Sequence, residues 1–170
     1  EIDILEETYL NIISSKTASL FAAATKVGAI IAEKDLKYKS ALEFYGKNLG
    51  LTFQIADDTL DYNSELKLFG KNIGNDFYEG KVTLPIILLY QKVDKFEKEK
   101  LKSFFEKDIR EKRNLEYVLD LIKKNNIINE CYKKAEHYIN LASNSLSVFE
   151  DSEEKNILKN LTSFSIERNF

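Results

Sequence analysis

Three carboxylates at helical spacing, Asp57, Asp58 and Asp61, lie near the start of the stretch FQIADDTLDYNSELKLFGKNIGNDFYEGKVTLP, which runs from Phe53 to Pro85. At about 100° per residue, Asp57 and Asp61 sit about 40° apart around a helix and Asp58 and Asp61 about 60°, so all three lie on one side of it, within an arc of about 100°. Unpaired like charges that close destabilise a helix. A divalent cation removes the penalty, and Mg²⁺ takes one or two carboxylates and completes its shell with water and phosphate oxygens. Gln54 lies one turn earlier on the same side, where it can donate to a phosphate or hold a water. The alternative is a solvated acidic helix end. Against it stand the apolar Phe53, Ile55, Ala56 and Leu60, which bury most of the helix and leave the acids facing a cavity or groove. Two lysines follow, Lys71 in GKNIGND and Lys81 in EGKVTLP. Glycine lets backbone N–H groups approach a phosphate, and lysine supplies a point charge. The P-loop spacing is absent, and read alone the lysine pair is a surface turn. Acids, glycines and lysines in one short stretch point to a magnesium–diphosphate site.

The elements that position these groups are helical. With six glycines and one proline in 170 residues, the chain reads as all-α. Ile2, Leu5, Tyr9, Ile12, Ile13, Leu20 and Ala24 recur at helical steps and predict one helix from Ile2 to about Glu33. Lys16 falls on that apolar stripe. A lysine there either snorkels to solvent or meets an anion, because a buried unpaired ammonium is costly. Small residues, Ala18, Ser19, Ala22, Ala23, Ala24, Gly28 and Ala29, allow close helix contact or leave room for a ligand tail. A second helix is predicted over Lys37–Asp61, then a polar, glycine-bearing loop over Tyr62–Glu79. A third covers Val82–Val93, with Pro85 tolerated in its first turn. Shorter amphipathic helices follow over Glu97–Lys107, Asn114–Asn125, Ile127–Phe149 and Ser152–Asn169, with Asn125-Asn126 as a C-cap. Their charged faces read as solvated. No repeat, linker or boundary is visible, so residues 1–170 are expected to form a single all-α domain.

Composition narrows the class. Apolar residues make up 44% and charged residues 31%, and the formal net charge is −3, which argues against a general nucleic-acid or anionic-membrane binder. The lone Cys131 excludes an intramolecular disulfide and a thiolate metal cluster and reads as a small apolar filler. The runs Thr17–Ala32 and Val82–Gln91 are too short, or broken by Lys26 and Pro85, to span a membrane. A soluble intracellular protein is expected. Glu1 leads straight into a helical pattern with no methionine and no cap, so the chain is expected to be trimmed, and its compartment stays open.

The segment FQIADDTLDY…GKNIGNDFYEGKVTLPI resembles the second aspartate-rich region of the trans-isoprenyl (polyprenyl) diphosphate synthases, which runs FQxxDDxxD, GKxxGxD, EGKxTLP. Phe53, Gln54, Asp57, Asp58, Asp61, Gly70, Lys71, Gly74, Asp76, Glu79, Gly80, Lys81, Thr83, Leu84 and Pro85 all match without a gap. Lys16-Thr17, following Tyr9, is similar to the family's KT motif. Tyr138, Ala142 and Leu146 resemble its penultimate helix, and Ile166-Glu167-Arg168 its last.

The resemblance implies an isoprenoid-synthase-type helical bundle around a central cavity. It also implies extension of an allylic diphosphate by isopentenyl diphosphate: ionisation, attack by the isopentenyl double bond, then proton loss. Three Mg²⁺ ions are implied in the intact enzyme, stabilising the pyrophosphate that leaves. By position, Asp57 would ligate one ion directly, and Asp58 and Asp61 directly or through water. Lys16 and Lys71 would bind the allylic diphosphate. Thr17 and Gln54 would line the site, Phe53 would lie beside the isopentenyl group, and Lys81 would be a nearby basic residue. Lys16 thereby gains its anion. Members of the family are usually homodimers, so a homodimer is implied. The family's first aspartate-rich motif has no counterpart: Asp3, Asp35 and Asp94 stand singly, and Asp151 has no acids at the required spacing. The chain is therefore expected to be the C-terminal half of a longer synthase and inactive alone. The competing readings are a non-catalytic subunit of a synthase complex and a helical interaction module. A terpene cyclase does not fit, because its second metal motif is of an Asn/Ser/Glu type.

Overall fold

A computed structural model of the chain describes residues 2–63 and 73–167, with side chains up to residue 164. All regular structure among them is helical: α1 (Glu6–Ile13), a π-helical segment (Ser14–Ala18), α2 (Ser19–Ile31), α3 (Leu36–Leu60), α4 (Asn75–Glu79), α5 (Leu84–Lys92), α6 (Lys95–Phe105), α7 (Lys112–Lys124), α8 (Ile127–Ser145), a 3₁₀ turn (Leu146–Val148) and α9 (Glu153–Glu167). The all-α expectation holds. The chain divides into two compact units, one made of Glu1–Tyr9 and Asp57–Tyr132, the other of Leu10–Ala56 and Lys133–Phe170.

The first unit is built on α5. All six residues Leu84–Leu89 are buried, as expected of a helix that is apolar on every side. Phe77 of α4, Leu101 and Phe104 of α6, Leu115, Val118, Leu121 and Ile122 of α7, and Ile127 and Cys131 of α8 are buried too. Phe77 meets Phe105 edge-to-face at 5.5 Å. Asp94 caps α6, its carboxylate accepting from the Glu97 N–H at 2.8 Å, so that helix starts at Lys95, two residues ahead of its expected start. Asn125 ends α7, and Asn126 follows at φ 54°, the left-handed step expected of this pair.

The predicted loop over Tyr62–Glu79 is corrected at its end, where Asn75–Glu79 is helix α4. A glycine in left-handed conformation stands at each end of it, Gly74 at φ 82° and Gly80 at φ 74°. A Cβ on Gly74 would also lie 2.4 Å from a methyl of Leu115. Gly74→Ala is expected to destabilise this unit by about 1–2 kcal/mol, the cost of a left-handed non-glycine residue, read as a lower urea midpoint with unchanged slope.

The second unit packs α3 against α8 and α9. Tyr45, Leu49, Ala142 and Leu146 form its centre, with Phe21, Leu42, Phe149 and Leu158 around it. The Tyr45 hydroxyl donates to the Leu158 carbonyl at 2.7 Å, and burial pushes its pKa up to about 12. The α2 helix lies close to α3 because α3 offers glycine where they meet. A Cβ on Gly46 would be 2.4 Å from the Phe21 carbonyl oxygen, and one on Gly50 2.6 Å from the Ala18 Cα.

The single helix expected from Ile2 to Glu33 is also corrected. Residues 2–5 are not helical, and α1 and α2 are joined by the π turn. Within α1, the π turn and α2 the buried positions are Tyr9, Ile13, Ala18, Ala22 and Ala29, and the step from Ile13 to Ala18 is the i→i+5 spacing of a π turn. That extra residue rotates the later part of the stripe. Leu20 is 73% exposed and Lys16 lies in solvent rather than on the buried face. Burial therefore makes no demand on Lys16 for an anion.

Candidate functional site

In the first unit, the end of α3 presents the three aspartates in three different settings. Asp57 is exposed. Asp58 is buried, and its Oδ2 accepts a hydrogen bond from the Tyr9 hydroxyl at 2.7 Å. Asp61 is half-buried and binds the start of α4. Its Oδ1 accepts from the Asn75 N–H at 3.0 Å, its Oδ2 from the Asp76 N–H at 2.8 Å, and its carbonyl from the Gly74 N–H at 2.7 Å. One aspartate is thus open, one is held by a phenol, and one caps a helix. Spacing alone does not distinguish them.

Electrostatics around them is dominated by burial. Burial first, and then the Asp58 carboxylate, push the Tyr9 phenol far above its ordinary range, so it stays a proton donor. Tyr62 is pushed well up by burial and by Asp61, Asp76 and Asp58. The hydroxyls of Tyr62 and Thr83 are both buried, and among the described residues neither meets a partner in good hydrogen-bond geometry, although Thr83 slightly offsets the rise at Tyr62. Burial and Asp61 raise the Asp76 carboxyl, an effect that Lys81 opposes from 3.4 Å. Lys81 is also 2.5 Å from Glu79. Its ammonium is committed to two carboxylates, and the adjacent Gly80 ends α4. Gly70 and Lys71, like Arg168, lie outside the described residues.

The second unit holds the other predicted group. Thr17 sits in the π segment and donates from its hydroxyl to Gln54 Oε1 at 2.8 Å. The contact depends on the small pair Ala18 and Gly50, which lets the π turn lie on α3. Phe53 stacks in a tilted pair with Phe21 at 5.6 Å. Lys16, next to Thr17, is exposed. Ala142 and Leu146 belong to the core of this unit. Tyr9 is the site residue that sequence reasoning passed over. It falls on an apolar stripe, and the available signal is that a buried tyrosine needs a partner for its hydroxyl.

Among the described residues, no three His, Cys, Asp or Glu side chains gather into a metal-binding group. Mg²⁺ does not need one, since it is usually held by one or two carboxylates plus water and substrate oxygens. The open carboxylate of Asp57, beside two carboxylates already fixed by hydrogen bonds, fits that ion. Nor, among the described residues, is any helix long and apolar enough to cross a membrane.

An all-helical chain with acids at the end of one helix and a lysine–threonine pair on a π turn has the make-up of a helical isoprenoid synthase. The chain belongs to the polyprenyl synthetase family, whose model matches residues 1–122. It is 32% identical over 167 residues to a short chain isoprenyl diphosphate synthase of Methanothermobacter thermautotrophicus, covering 98% of this chain and 51% of that protein. A decaprenyl diphosphate synthase from Rhodobacter capsulatus superposes with a TM-score of 0.93 at 34% identity, covering 100% of this chain and 52% of that one. A polyprenyl synthase from Caulobacter crescentus, solved with calcium and isoprenyl diphosphate, gives a TM-score of 0.92 at 34% identity, again over 100% and 52%. The chain therefore spans about half the length of these relatives.

Proposed function

We propose that this chain is the C-terminal part of a Mg²⁺-dependent trans-prenyltransferase that condenses isopentenyl diphosphate with an allylic diphosphate to give a polyprenyl diphosphate. The observation that carries the reading is the open Asp57 carboxylate at the end of α3, in a family of synthases, beside Asp58 and Asp61 already fixed in place. Mg²⁺, when bound, supplies the positive charge that stabilises departing pyrophosphate. Asp57 binds it directly, and Asp58 and Asp61 directly or through water. Lys16 and Lys71 bind the allylic diphosphate as point charges. Lys16 suits that role, since its ammonium stands in solvent on a π turn, a device frequent at functional sites. Thr17 orients the Gln54 amide, and Phe53 flanks the isopentenyl group. Lys81 contributes local positive potential only, because Asp76 and Glu79 already hold it.

The exposed face of α2 supports the idea of a longer synthase. The helix reads SLFAAATKVGAII, apolar nearly all round, yet Leu20, Val27, Ile30 and Ile31 are 73, 46, 49 and 77% exposed. A helix of that composition is normally buried. The helical portion that the relatives have beyond the matched half covers it in this reading, and the assembled synthase acts as a homodimer.

Thermal melting tests the site. Mg²⁺ plus pyrophosphate at about 100 times the dissociation constant stabilises by about 2.7 kcal/mol, a rise of roughly 5 °C or more for a chain of this size. No rise at millimolar ligand would favour the interaction-module reading. The chain alone should show no prenyl transfer from radiolabelled isopentenyl diphosphate, and turnover at ordinary enzyme rates would sink the half-synthase reading.

A further inference from the structure

The Tyr9 hydroxyl poses a question that the reaction itself does not. Tyr9 is 3% exposed and Asp58 7%, and the two are 49 residues apart in sequence. Their 2.7 Å contact joins α1 to α3 inside the first unit. A core-filling tyrosine is as well served by phenylalanine unless its hydroxyl has work to do. A buried carboxylate, in turn, is tolerated only when donors satisfy it. The pair is charge-assisted, and so among the stronger hydrogen bonds available to either group. The surroundings sharpen the point. Tyr62, also fully buried, lies close enough to Asp61, Asp76 and Asp58 for each to disfavour its ionisation. Buried phenols thus back the acidic end of α3 on the side away from solvent, while Asp57 stands open.

We infer that Tyr9 is a positioning residue for the acidic motif: its hydroxyl fixes the rotamer of Asp58, so that the motif is preorganised for a divalent cation before the cation arrives. This rests on the reading that the motif binds Mg²⁺. Outer-shell partners of metal-binding carboxylates commonly change metal affinity about 10- to 100-fold when removed. Tyr9→Phe deletes a single oxygen and keeps the ring.

The test is a titration of the 170-residue chain with Mn²⁺ in the presence of pyrophosphate. The free ion is followed by its paramagnetic resonance signal, with a melting curve for each variant. Wild type is expected to bind, and Tyr9→Phe to bind about 10-fold more weakly while retaining a cooperative melt. Asp58→Asn keeps an acceptor for Tyr9 but loses the charge, and it is expected to bind weakly as well. In the Asp58→Asn background, Tyr9→Phe should cost no further affinity, because its effect passes through Asp58. A lower melting temperature with unchanged Mn²⁺ affinity would make Tyr9 a packing residue and overturn the inference while leaving the metal reading intact. A full additional loss in the double variant would also overturn it. No binding by wild type would overturn both readings. If Tyr9→Phe fails to fold, Asp58→Asn and Asp58→Ala decide the matter. Equal affinity for those two variants and wild type would show that Asp58 needs no positioning.

Discussion

Gly50→Val is expected to destabilise the second unit by about 1–3 kcal/mol, the usual cost of forcing extra carbon into a closed contact. The reason is local. An added Cβ would lie 2.6 Å from the Cα of Ala18 and 3.1 Å from its Cβ. Ala18 is fully buried and its backbone belongs to the π turn, so it is no flexible side-chain end that can swing away. The turn itself must move. Its neighbours Lys16 and Thr17 move with it, and the 2.8 Å bond from Thr17 to Gln54 is lost or lengthened. Gly28 supplies the control. It also sits inside a helix, but a Cβ there meets nothing within 4 Å. Gly28→Ala should gain roughly 1 kcal/mol from helix propensity alone. Urea titrations of the two variants should therefore shift in opposite directions. Equal shifts of the same sign would show that the contact between the π turn and α3 does not constrain the chain.

That contrast also explains what the sequence could and could not disclose. The all-helical character and the order of the longer helices were legible because apolar residues recur at three- and four-residue steps and breakers are few. The ends were legible to within a few residues. The π turn was not, because both Ile12 and Ile13 are apolar, and the α2 sequence AAATKVGAII is apolar on nearly every side. A stripe drawn through such residues can take either phase, and only Ala18 at 0% exposure against Leu20 at 73% fixes it. Helix α4 was missed because five residues between two glycines carry no periodic signal. At the site, residue types were readable and environments were not. Helical spacing gives direction around an axis, but it is silent on the partner found there. Tyr9 reaches Asp58 from 49 residues away, and Asp61 reaches the amides of Asn75 and Asp76 from 14 and 15. Those distances in sequence have no local pattern.

The three aspartates should accordingly separate into three phenotypes. Asp57→Asn removes an exposed carboxylate that has no packing role among the described residues. Its stability without ligand should stay within about 0.5 kcal/mol of wild type, as at ordinary surface positions. Its stabilisation by Mg²⁺ and pyrophosphate should disappear, since a lost direct ligand weakens binding on the order of 100-fold or more if outer-shell losses reach that range. Asp61→Ala should do the reverse in the first instance. It strips two backbone N–H groups of their acceptor at the start of α4, which costs about 1–2 kcal/mol, the usual range for deleting a cap. Its loss of ion binding would follow from the displaced segment as well as from the missing charge. Asp61→Asn, which retains one acceptor oxygen, should recover part of the stability but not the binding. Asp58→Asn falls between them, keeping the Tyr9 contact and losing the charge. Melting each variant with and without Mg²⁺ and pyrophosphate reads both axes in one experiment. If Asp57→Asn kept its full ligand-induced rise while Asp61→Ala lost both, the cation would have to sit on the capping carboxylate, and Asp57 would be no more than a solvated helix end.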